Sequence, residues 1–168
     1  ISAEMIKKIG CKYVLIGHSE RRNLYLEDSK VLFKKIKRAS EQKLKIIFFV
    51  FERLSDYKTN KSIQFIIKQI LAVFDEETNF KNIILAYEPI WAIESNITPK
   101  VEEIESIHRK IKKTIQEKFN FPNIPILYGG SLKASNSSEI FSLKHVDGGL
   151  IGGASLIASE FCKIYGTL

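Results

Sequence analysis

The chain has 168 residues, 45% of them hydrophobic and 27% charged, with a formal net charge of +7. That length accommodates one domain with a sizeable core and is short for two. The longest apolar run, Ile46 to Phe51, is too short to cross a bilayer, and no charged-then-apolar signal segment opens the chain. Two cysteines, Cys11 and Cys162, without metal-ligand spacing read as reduced thiols of a cytoplasmic protein. The excess lysines sit in runs such as Lys34-Lys35-Ile36-Lys37-Arg38 and Arg109-Lys110-Ile111-Lys112-Lys113. Apolar residues interrupt these runs at helical spacing, so they read as solvated helix faces rather than a nucleic-acid surface.

In chain order, Ile1 to Lys8 reads as an amphipathic helix with no strand before it. Five apolar runs then follow: Tyr13–Ile16, Leu44–Val50, Ile83–Tyr87, Ile124–Leu127 and Gly149–Ile151. Each is nearly continuous rather than alternating, as in strands buried on both faces. Ile63, Ile66, Ile67, Ile70, Leu71 and Phe74 fall on one helix face, as do Val101, Ile104, Ile107, Ile111, Ile115 and Phe119. The second of these helices is expected to start with Thr98 as N-cap and Pro99 at its first position, with Glu102 and Glu103 in the first turn. Alternation of strand and helix, with no linker or composition break, predicts parallel β/α units in one domain spanning residues 1–168.

Functional groups of parallel β/α folds gather at the C-terminal ends of strands. In this chain those ends read Gly17-His18-Ser19-Glu20-Arg21-Arg22, Phe51-Glu52, Tyr87-Glu88-Pro89-Ile90-Trp91, Tyr128-Gly129-Gly130-Ser131 and Gly152-Gly153-Ala154-Ser155. Together they offer an imidazole, a carboxylate able to act as a base, and two glycine-rich turns. Taken singly, Glu88 could be a surface carboxylate, His18 a strand-end histidine and each Gly pair a tight turn. Glu20 could equally pair with Arg21 or Arg22.

Those five motifs, in that order, resemble the triosephosphate isomerase family over essentially the whole chain, from the helix before the fourth barrel strand to the C-terminus. The resemblance implies an incomplete (β/α)8 TIM barrel with about five parallel strands present and the first three β/α units absent. It implies an isomerase of glycolysis and gluconeogenesis, interconverting dihydroxyacetone phosphate and glyceraldehyde 3-phosphate without metal or organic cofactor. Glu88 would remove the proton beside the carbonyl, and His18, as a neutral imidazole, would polarise that carbonyl, with Glu20 in the same polar network. Ser131, Gly152 and Gly153 would offer backbone N–H groups to the phosphate, and Pro89, Ile90, Trp91, Ala92, Ile93 and Glu94 would begin a lid. The partners implied are a small phosphosugar and, for the complete protein, a second copy in a homodimer; neither nucleic acid nor membrane is expected.

Three departures accompany the resemblance. The family's lid tip is glycine-rich, whereas Glu94-Ser95-Asn96 follows Ala92-Ile93 here. Phe49 and Phe51 stand where the family has Cys and Gly, and Phe51 adds bulk beside the base. The lysine-bearing strand end and the dimer loop belong to the absent units, so the chain by itself is expected to be inactive. The alternative is a non-catalytic phosphosugar-binding relic of the same fold.

Overall fold

The computed structural model describes residues 1–95 and 99–168, without the side chains of residues 94 and 95. After a short helix α1 (Ala3–Lys8), capped by the Ser2 hydroxyl, strand β1 (Tyr13–Ile16) enters a parallel sheet. Helices α2 (Ser19–Leu24) and α3 (Ser29–Glu41) lead to β2 (Lys45–Glu52). Helices α4 (Leu54–Lys58) and α5 (Ser62–Leu71) lead to β3 (Ile83–Pro89). From β3 the chain passes directly into α6 (Ile90–Ser95), and α7 (Val101–Phe119) precedes β4 (Ile126–Tyr128). Short α8 (Ser137–Phe141) and α9 (Ala158–Tyr165) close the chain.

Among the described residues the four strands lie in sequence order, all parallel, as short unknotted β/α connections favour. Helices α5 and α7 bury most of their predicted stripes, Ile66 and Ile70 from the first and Ile104, Ile111 and Ile115 from the second, and α3 buries Leu32, Ile36 and Ala39. The lysines and arginines of the two basic runs flank buried Ile36 and Ile111. Lys35 reaches back to Glu27 and Lys112 to Asp147, while the other basic residues of the runs are exposed. The expected solvated faces are therefore present.

Four expectations are corrected. The fifth run is not a strand: it is held by one parallel bridge, Tyr128 to Gly149, with Leu150 N–H donating to Tyr128 O at 2.9 Å. Gly148, at φ +141, breaks the extended geometry just before it. Nor is β1 buried on both faces, since Tyr13 and Leu15 are exposed; among the described residues β1 has one neighbour, β2. Leu71, placed on the buried face of α5, is exposed. Helix α7 begins at Val101 with Lys100 as N-cap, so Pro99 precedes the helix. The Glu103 carboxylate accepts from Lys100 N–H at 3.0 Å, taking the role expected of a capping side chain. Thr98, the expected cap, lies outside the described residues.

Candidate active site

Parallel register sets the rim. The β1–β2 ladder ends at Ile16 opposite Phe48, while β2 and β3 continue to Glu52 opposite Pro89. His18 therefore leaves the sheet beside the longer strands and becomes the N-cap of α2. Its Nδ1 accepts the Glu20 backbone N–H at 3.4 Å. An acceptor Nδ1 puts the imidazole proton on Nε2, and that nitrogen stands 2.9 Å from Oε1 of Glu88. The other carboxylate oxygen accepts Ser19 N–H at 3.2 Å.

Glu88 is 2% exposed. Burial pushes its carboxyl above the usual range, and His18, Ser19 and Arg22 oppose that shift. A carboxylate with raised proton affinity, held against an imidazole nitrogen, is suited to moving a proton beside a polarised carbonyl. Of the residues expected here, His18 and Glu88 are thus brought into contact. Glu20 contributes its N–H, while its side chain is exposed. The two arginines that were its alternative partners bind elsewhere: Arg21 to Glu27, Arg22 to Gly17 O, Phe49 O and Gln69.

Behind the rim, buried Glu52 accepts from Tyr87 Oη at 2.7 Å and from Trp91 Nε1 at 2.8 Å, both on Oε1. Trp91 also stacks on Tyr57, ring centroids 4.3 Å apart. The chain leaving Glu88 is therefore anchored: Pro89 ends β3, and Ile90, Trp91, Ala92 and Ile93 form most of α6. The Glu94 side chain and Asn96 lie outside what is described, so the lid-tip departure has no structural account. Phe49 packs its ring edge-on to His18, centroids 5.0 Å apart. Phe51 packs against Phe65 and under the Arg22 guanidinium. In this way the added bulk is absorbed by neighbours, and Glu88 keeps its bonds to His18 and Ser19.

The two glycine turns leave neighbouring positions of the sheet, because Tyr128 bridges Gly149. Gly130 has no room for a side chain: a Cβ there would lie 2.2 Å from Tyr128 Oη and 2.9 Å from Pro89 Cγ. Ser131 follows it, half-buried, its carbonyl accepting from Asn136 Nδ2 at 3.0 Å. Gly152 and Gly153 are exposed at the start of a short 3-10 turn, Gly153–Leu156. Ser155 folds back onto Gly152 O through both its N–H and its hydroxyl.

Sequence reasoning passed over two groups. Arg22 was read only as a possible ion-pair partner, although it lies four residues after His18 and binds the rim from beneath. His108 sits on the α7 stripe at helical spacing between Ile104 and Ile111, which is the only signal the sequence gives for it.

The family model described as triosephosphate isomerase matches residues 1–168. A triosephosphate isomerase of Ruthia magnifica is 43% identical over 168 residues, covering 98% of this chain and 68% of the relative. One from Hahella chejuensis is 42% identical, covering 98% and 67%. The crystal structure of triosephosphate isomerase from Bartonella henselae superposes with TM-score 0.90 at 36% identity, covering 99% of this chain and 69% of that one. This chain thus spans about two thirds of the length of such relatives, and its parallel sheet is part of a TIM barrel. With the motif order, the His18–Glu88 contact and these matches all in agreement, the chain belongs to the triosephosphate isomerase family.

Proposed function

We propose that this chain supplies the base, the electrophile and the phosphate-binding turns of an aldose–ketose isomerase acting on triose phosphates. The observation that carries the reading is the Glu88 carboxylate lying 2.9 Å from His18 Nε2 with Ser19 N–H on its other oxygen. A substrate carbonyl entering between the two groups would take the Nε2 proton as hydrogen-bond partner. Glu88 would then remove the proton from the adjacent carbon, and the electron pair would form the enediolate. Returning the proton from Glu88 to the neighbouring carbon, while His18 exchanges protons between the two oxygens, completes the isomerisation with no redox change. A neutral imidazole suits this role because it can give and recover a proton, as in the triosephosphate isomerase family.

Ser131, Gly152 and Gly153 are proposed to hold the phosphate, supported by the adjacency of the two turns and by backbone that small residues leave accessible. Pro89, Ile90, Trp91, Ala92, Ile93 and Glu94 are proposed as the start of the lid, hinged on the Trp91–Glu52 bond. Homodimerisation, a glycolytic and gluconeogenic place and a cytoplasmic location are proposed on the family's account. They are compatible with the described residues, where no helix is long and apolar enough to cross a membrane. Residues 1–168 are read as one partial barrel domain.

A coupled assay of the whole gene product tests this. Isomerisation is expected, with Glu88→Gln lowering kcat/KM by about 10²- to 10⁴-fold; no isomerisation with Glu88 intact would reject the enzyme reading. The second reading, a phosphosugar-binding module without turnover, is favoured by the sheet itself. The four strands among its described residues are about half of the eight that close such a barrel, so these 168 residues are expected to give no turnover alone. Titrating them with phosphoglycolate decides that reading, and absence of binding would reject it.

A further inference from the structure

Arg22 reaches three elements from the last turns of α2. Its Nε donates to Gly17 O at 2.8 Å, Nη2 to Phe49 O at 2.7 Å, and Nη1 to Gln69 Oε1 at 3.2 Å. Gly17 and Phe49 are the residues just beyond Ile16 and Phe48, where the β1–β2 ladder stops. The guanidinium therefore joins the two strands one position past their last ladder pair, and His18 is the next residue on β1's side. Gln69 secures the far leg, accepting from Phe51 N–H at 3.3 Å and donating to Phe51 O at 2.7 Å. The rings of Phe48 and Phe51 lie 5.3 and 5.2 Å from the guanidinium carbon. Gly17 is shaped to admit it: at φ +84, a Cβ would stand 2.9 Å from Nη2.

Resting on the reading of Glu88 as base and His18 as electrophile, we propose that Arg22 is a positioning residue. Its fork fixes where His18 leaves the sheet, and its charge acts on the Glu88 carboxylate. A planar, five-donor group is required because two carbonyls and an amide must be met at fixed angles; an ammonium cannot span them. The titratable groups facing this centre are Glu88 and Glu27 around Arg22, and His18 and Arg22 around Glu88. Burial lowers the guanidinium to about 10 while both carboxylates raise it; Arg22 thus stays cationic at neutral pH and favours ionised Glu88.

The test uses NMR on this chain, reading the ring nitrogens of His18 and the carboxyl carbon of Glu88 across pH. In the unsubstituted chain His18 is expected to hold a single Nε2–H tautomer. Arg22→Gln should move the Glu88 midpoint upward by about half a pH unit or more, because a favourable charge is lost. Arg22→Lys keeps the charge and loses the fork, so the Glu88 midpoint should stay while the His18 nitrogens shift toward tautomer averaging. Folded variants with both signatures unchanged would overturn the proposal and leave Arg22 a structural tie. Where neither arginine variant folds, Gln69→Leu, which removes one leg, must shift the His18 nitrogens in the same direction, and no shift overturns it. None of these readouts needs turnover, so failure of the isomerase reading would be seen separately, in the coupled assay.

Discussion

At the residue scale, His18 and His108 sit in opposite environments. His18 is the more exposed of the two, and capping α2 sets its proton on Nε2, facing Glu88. His108 is fully buried on α7, with Nδ1 3.2 Å from His145 O, its ring edge-on to Tyr87, and Nε2 without a partner among the described residues. Burial lowers its pKa to about 4, with His145 O, Asp147 and Glu105 opposing and Lys112 adding to the shift. The folded state therefore binds fewer protons than the unfolded one between about pH 6.5 and the lowered value. Stability from this residue is whole above about pH 6.5 and falls as pH drops toward 4, by about 3 kcal/mol over that window. Urea unfolding midpoints measured from pH 7 to pH 4 should fall less steeply in His108→Leu than in the unsubstituted chain. Equal slopes would show that His108 is not buried as a neutral ring.

At the scale of elements, much was written in local pattern: the α5 and α7 stripes and the three longer strands follow from apolar spacing alone. The boundaries that slipped did so through tertiary contacts. Strand β3 runs on to Pro89 because β2 pairs with it as far as Glu52. The fifth run stops at a single bridge, with Gly148 at φ +141 just before it. The α2–α3 connection holds a testable strain. Leu26 is 81% exposed yet sits at φ +52, a region costing an L-residue about 1–2 kcal/mol. Glycine relieves that cost and gives back about 0.5–1 kcal/mol through unfolded-chain entropy. Leu26→Gly should therefore stabilise by roughly 0.5–1 kcal/mol, seen as a higher urea midpoint with unchanged slope. A lower midpoint would mean that the Leu26 side chain packs in solution.

At the scale of the molecule, the sheet has an open side. Among the described residues β1 pairs with β2 alone, and Tyr13 and Leu15 are 46% and 54% exposed on that edge. An unpaired, apolar, parallel edge is a template for another strand. The 168-residue chain is thus expected to self-associate as its concentration rises, and Leu15→Lys to suppress that association. Light scattering at graded concentration is the measurement, and a concentration-independent monomer would show the edge to be protected.

The sequence by itself determined the order of the four strands, the long helices α5 and α7, the family, and the residue types at the strand ends, because those depend on local periodicity and short motifs. The rest was tertiary. That His18 meets Glu88, seventy residues away in the chain, depends on β1 and β3 flanking the longer β2 in parallel register. Arg22 becomes a tie between strands only because the β1–β2 ladder stops at Ile16 and Phe48, one residue short of Gly17 O and Phe49 O. His108, which the apolar spacing of α7 did not single out, becomes a buried ring only when Tyr87 and His145 close around it. Spacing along a chain fixes which face a residue takes, whereas its proton affinity depends on which charges and how little water the folded neighbours leave beside it.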